Sequence, residues 1–68
     1  MSSTIDNLIR MVNQIAANMG HEDDAPAAIA EHIRLFWDPR MKQMILAHDG
    51  SGLSDRAAAA IARLKTAA

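Results

Sequence analysis

A chain of 68 residues has room for one small domain, and with 7 Lys and Arg against 8 Asp and Glu its net charge is −1. That balance excludes the bulk positive field that nucleic-acid or acidic-membrane binders use, and the absence of Cys excludes disulfides and thiolate metal sites. Hydrophobic residues make up 50% of the chain, but much of that share is Ala, in a size class that buries only about 60% of the surface its unfolded chain exposes. No stretch approaches the roughly 20 apolar residues of a membrane span. The opening Met1-Ser2-Ser3-Thr4-Ile5-Asp6 has neither a basic start nor a long apolar run. It therefore argues against a signal peptide and for a cytoplasmic protein.

The pattern is all-α, a small bundle of three to four short helices without strands. The first helix is expected from Thr4 to Met19, because Ile5, Leu8, Val12, Ile15 and Met19 recur at spacings of three and four. Ser3 is placed to cap it, with Asp6 three positions on, and Gly20 to end it. After the polar connector His21-Glu22-Asp23-Asp24, either aspartate can cap a second helix from Ala25 to Trp37, with Pro26 in its first turn. Its stripe is Ala25, Ile29, His32, Ile33 and Phe36, with Leu35 and Trp37 on the shoulders. That arc covers roughly 200°, wider than the roughly 100° a surface helix needs, so the helix should be covered from two sides.

Asp38-Pro39 interrupts the helix, since a residue before proline avoids the α region. Asp38 as cap and Pro39 as first residue begin a third helix that runs to His48, with Met41, Met44, Ile45 and His48 on one face. Arg40 and Lys42 lie at its N-terminal end, where the helix dipole disfavours cations. Asp49-Gly50-Ser51-Gly52 reads as a flexible loop, and Ser54 as the cap of a last helix from Asp55 to Thr66. With Ala57, Ile61 and Leu64 as its face, that helix has only two large side chains to bury. Residues 1–68 thus read as a single helical domain in which 50–68 form a loop and a weakly docked C-terminal helix.

The motifs that carry chemistry are sparse. There is no Cys or Tyr, Ser and Thr fall mostly at caps or near the ends, and no Ser–His–acid spacing is recognisable. So small a scaffold also has little from which to build a water-excluding pocket. His21 to Asp24 lacks the alternating ligands and central Gly of a calcium loop and reads as a cap. His32 and His48, on apolar faces, read as hydrogen-bonded boundary residues rather than ligands. Gly50-Ser51-Gly52 lacks the Lys of a phosphate loop. Arg34, Arg40 and Lys42 cluster in sequence, but without the basic footprint of a DNA reader.

The two aromatic residues, Phe36 and Trp37, are adjacent, so on a helix they point about 100° apart. One ring should anchor the domain while the other meets a partner. Ile29, Ile33 and Phe36 are assigned as the internal anchor, with Asp38 a structural cap. Trp37, Pro39, Arg40 and Met41, with Arg34 beside them, are assigned to the partner interface, because Trp and Arg are enriched among residues that carry binding energy. Met11 and one methionine of the third helix are further candidates for contact.

From Ala30 to Met41 the chain reads Ala-Glu-His-Ile-Arg-Leu-Phe-Trp-Asp-Pro-Arg-Met, which resembles the signature of the delta subunit of NAD-dependent, molybdenum-containing formate dehydrogenases. Leu8 to Ala16, the Ile45-Leu46-Ala47-His48 stretch and the Gly-rich loop are similar to that family in order, so the resemblance covers essentially the whole chain. It implies a small accessory subunit of a soluble complex. The large alpha subunit of such a complex carries molybdopterin guanine dinucleotide and iron–sulfur clusters. The beta subunit carries flavin (FMN) and the NAD site, and the gamma subunit a further iron–sulfur cluster. The resemblance implies no cofactor in the delta chain, and a role in assembly, cofactor insertion or stability of the alpha subunit. The alternative readings are a small DNA-binding module and a self-associating regulatory protein, a homodimer when isolated.

Overall fold

The computed structural model describes residues 4–66 and contains four helices and no strand among them. These are α1 (Thr4–Asn18), α2 (Ala25–Phe36), α3 (Pro39–Ala47) and α4 (Asp55–Thr66). The expected Ser3 cap lies outside the described residues. Asp24 caps α2 through its carboxylate and the Ala27 N–H, and Asp38 caps α3 by accepting the Met41 N–H at 2.8 Å. Pro26 and Pro39 occupy first-turn positions, where no N–H is required. Asp38→Ala should therefore lower stability by about 1 kcal/mol, read as a shift in the midpoint of urea unfolding.

The core follows i, i+4 rows. In α1 the buried residues are Leu8, Val12 and Ala16; in α2 they are Ala25, Ile29 and Ile33. Four residues of helix turn through one circle plus about 40°, so such a row winds around the helix instead of running along one meridian. The next member of the α2 row is Trp37, the C-cap residue, and it is only 6% exposed. Phe36 belongs to the neighbouring row with His32 and stands 73% exposed. The assignment of the two rings from sequence is thus reversed: Phe36 does not anchor the core, and Trp37 is not the exposed docking ring. The averaged wheel projection placed Phe36 at the centre of the stripe, whereas the buried line had drifted onto Trp37 by the end of the helix.

A second correction concerns α4, which is not weakly packed. It buries Ala57, Ala60, Ile61 and Leu64, and shares with α2 the most extensive interface between any two helices described. Ala57 and Ala60 are wholly inaccessible, so the helix gains its contact by close approach rather than by long side chains. Counting only large apolar residues understated it. Polar ties add to the packing. Arg56 donates to the Ala16 carbonyl at 3.3 Å near the C-terminus of α1, and Arg63 pairs with Asp24 at 3.0 Å.

The loop before α4 is also pinned. Asn13 Nδ2 donates to the Gly52 carbonyl at 2.9 Å, and its Oδ1 accepts from the Ser54 N–H at 2.8 Å. His48 Nε2 lies 2.8 Å from the Ser51 carbonyl, and the Ser51 N–H donates to the Asp49 carboxylate at 2.9 Å. That last bond holds the Asp49 carboxyl below the usual range. Gly50 and Gly52 have φ of +94° and +86°, a region costly for any residue with a Cβ. Nothing in the spacing of apolar residues singles out Asn13, but its side chain ties α1 to this loop. Asn13→Ala should lower the unfolding free energy by about 1–2 kcal/mol, checked by urea denaturation of the isolated chain.

Candidate functional site: an apolar groove between α1 and α2

With Trp37 turned inward and Phe36 outward, a groove of 450 Å³ opens between α1 and α2. The Trp37 indole and half-buried Ile15 line it together with Met11 from α1 and His32 and Phe36 from α2, while Arg10 and Gln14 complete the lining on the α1 side. The Phe36 ring leans on the His32 imidazole, with centroids 4.8 Å apart and planes inclined by 38°. Helical side chains lean toward the N-terminus, so residue 36 meets residue 32 one turn back. Met11 is 41% exposed and Leu35, on another side of α2, 59%. These three residues are the large hydrophobic side chains left in water among the described residues. A single exposed leucine is ordinary, but an aromatic ring and a methionine facing one concavity form a contiguous apolar surface.

The other residues assigned to the interface spread beyond this groove. Arg34 is exposed and bound to Glu31 through two hydrogen bonds of 2.7 and 3.1 Å, which hold the Glu31 carboxyl below its usual range. Pro39 and Arg40 are exposed at the start of α3, and Met41 is half-buried against the core. Lys42 Nζ donates to the Arg34 carbonyl at 3.2 Å, closing the C-terminal end of α2. Of the three cations clustered in sequence, two are therefore occupied with bonds inside the fold. Ile29 and Ile33 are fully buried as expected of anchors, and Asp38 is the cap already described. Met11 was identified from sequence as a contact candidate. Gln14, Ile15 and the outward role of Phe36 were not, and the row to which Phe36 belongs is the signal that finds it.

Among the described residues no polar or charged side chain is buried, and no three His, Asp or Glu gather closely enough to hold a metal ion. No helix is long and apolar enough to cross a membrane. What the groove offers is apolar area in a form that a protein surface can fill.

Residues 7–61 match the model of the family described as NADH-dependant formate dehydrogenase delta subunit FdsD. The chain belongs to this family. The match begins within α1, takes in α2, α3 and the loop after them, and ends within α4 of this formate dehydrogenase delta-subunit chain. It contains every residue that lines the groove. Comparison of the delta-subunit chain with curated proteins and with solved structures returns no match.

Proposed function

We propose that this chain is a non-catalytic accessory subunit that binds the large molybdopterin-containing alpha subunit of a formate dehydrogenase complex and supports its assembly, cofactor insertion or stability. The observation that carries the reading is the exposed Phe36 ring beside Met11 over an apolar groove, in a chain of the delta-subunit family. An apolar surface of this kind is most useful when a second protein covers it. In this reading the molybdopterin guanine dinucleotide, iron–sulfur clusters, FMN and NAD belong to the partner subunits, none to this chain, and the complex works in the cytoplasm.

Two measurements test it. Affinity purification of the tagged chain from its native host should recover the large subunit, and recovery only of unrelated proteins would overturn the proposal. In a strain lacking the chain, formate oxidation per cell should fall together with the molybdenum content or the yield of soluble alpha subunit. An alpha subunit unchanged in amount, metal content and turnover would remove the supporting role.

A further inference from the structure

We propose that Met11 is an oxidation site, and that its conversion to the sulfoxide by hydrogen peroxide releases the chain from its partner without unfolding it. The inference rests on the accessory-subunit reading and deepens it by adding a redox control to the same groove.

Selectivity follows from where the sulfur atoms lie. The chain has five methionines and no cysteine, so thioethers are the only sulfur groups that peroxide can reach in it. Met11 is 41% exposed and is the methionine among the large hydrophobic side chains left in water. Met19, Met41 and Met44 are half-buried and packed against the core, and Met1 lies outside the described residues. In the reaction a lone pair on Met11 Sδ attacks one peroxide oxygen. The S–O bond forms as the O–O bond breaks, and the departing hydroxide takes the proton from the transferred oxygen and leaves as water. The sulfur gives up two electrons and the peroxide gains them. A sulfoxide reductase that draws two electrons from a dithiol reverses the step, returning the thioether, water and a disulfide.

The consequence differs between the free and the bound chain. Oxidation turns a flexible apolar side chain into a polar one. In the free chain the new S–O group keeps its water, and the core residues of α1, Leu8, Val12 and Ala16, are untouched. In the bound chain the same group must give up that water beside Ile15, Phe36 and Trp37. Burying a polar group that is imperfectly bonded weakens association by about tenfold or more. Any surface that seals the groove imposes this loss, whatever its secondary structure. A sealed groove also shields the thioether, so Met11 is open to peroxide in the unassembled chain and protected in the complex.

The test treats the full chain alone with hydrogen peroxide, removes the excess with catalase, and maps oxygen uptake by tandem mass spectrometry before untreated large subunit is added. Met11 should gain oxygen roughly threefold faster, or more, than Met19, Met41 or Met44. The oxidised chain should keep its far-UV circular dichroism and its urea midpoint, yet bind the large subunit about tenfold more weakly or worse. Sulfoxide reductases of both stereospecificities, supplied with a dithiol, should restore the affinity. In Met11→Leu, peroxide should change affinity by less than about twofold, because no oxidisable sulfur remains at the groove. Equal or faster oxidation of another described methionine would overturn the assignment. So would unchanged binding of the Met11 sulfoxide, or an equal loss on treating Met11→Leu, and in each case the accessory role would stand. Failure of the untreated chain to bind the large subunit would instead overturn the accessory role and this inference with it.

Discussion

Phe36→Ser is expected to weaken binding to the large subunit by about 30-fold or more, the equivalent of a loss of about 2 kcal/mol. It should leave the isolated chain as stable as before, within about 0.5 kcal/mol. The ring is 73% exposed and its described ring contact is with His32, so its removal opens no cavity. In a bound state the same ring would be enclosed, and truncating an enclosed aromatic anchor is where interfaces lose most of their affinity. The paired measurement is calorimetric titration against the purified partner, with urea unfolding of the free variant. A variant that unfolds early, or that binds unchanged, contradicts the placement of the docking surface at this groove.

Trp37→Ala should do the reverse. The indole is 6% exposed and belongs to the single core cluster of the described residues, so truncation leaves a void next to Ile33, one turn back along its row. Losses for an aromatic residue replaced by alanine in a core run to about 3–5 kcal/mol. A domain of this length holds a total stability of about 3–10 kcal/mol, on the usual per-residue scale. Most of that margin would go, and thermal unfolding should move to near or below growth temperature. The expected reading is a chain largely unfolded in circular dichroism at 37 °C, recovered in part by Trp37→Phe. Loss of partner binding in Trp37→Ala would then report unfolding, not a lost contact, so the two adjacent aromatics must be measured for stability and binding separately.

Much of the fold was legible because its punctuation is local. Asp24 with Pro26, and Asp38 with Pro39, mark the two helix starts within a few residues of chain, and α1 declares itself through spacing alone. The helix ends fell within one residue of expectation, at Asn18, Phe36 and Ala47 in place of Met19, Trp37 and His48. The choice between Phe36 and Trp37 was not local. Both lie inside a broad apolar arc, and which one faces inward depends on how a winding i, i+4 row meets its neighbours. The docking of α4 was hidden for another reason. Alanine carries little side-chain area, so a helix that packs by close approach looks weak when only large residues are counted. Asn13 was hidden because a polar side chain bonded to a loop 39 and 41 residues away leaves no periodic trace.

The polar ties that α4 and the loop before it make to α1 and Asp24 share nearly one separation. Asn13 to Gly52 and Ser54, Arg56 to Ala16 and Arg63 to Asp24 each join positions 39 to 41 apart along the chain. In whatever order the chain folds, therefore, α1 and α2 gain these ties only when residues 52 to 63 come into place. Until then, the face of α2 that α4 covers remains bare. A chain truncated before residue 52 would lack the helix that packs most extensively on α2, the element that carries Ile29 and Ile33, and docking of α4 is the step that closes this core.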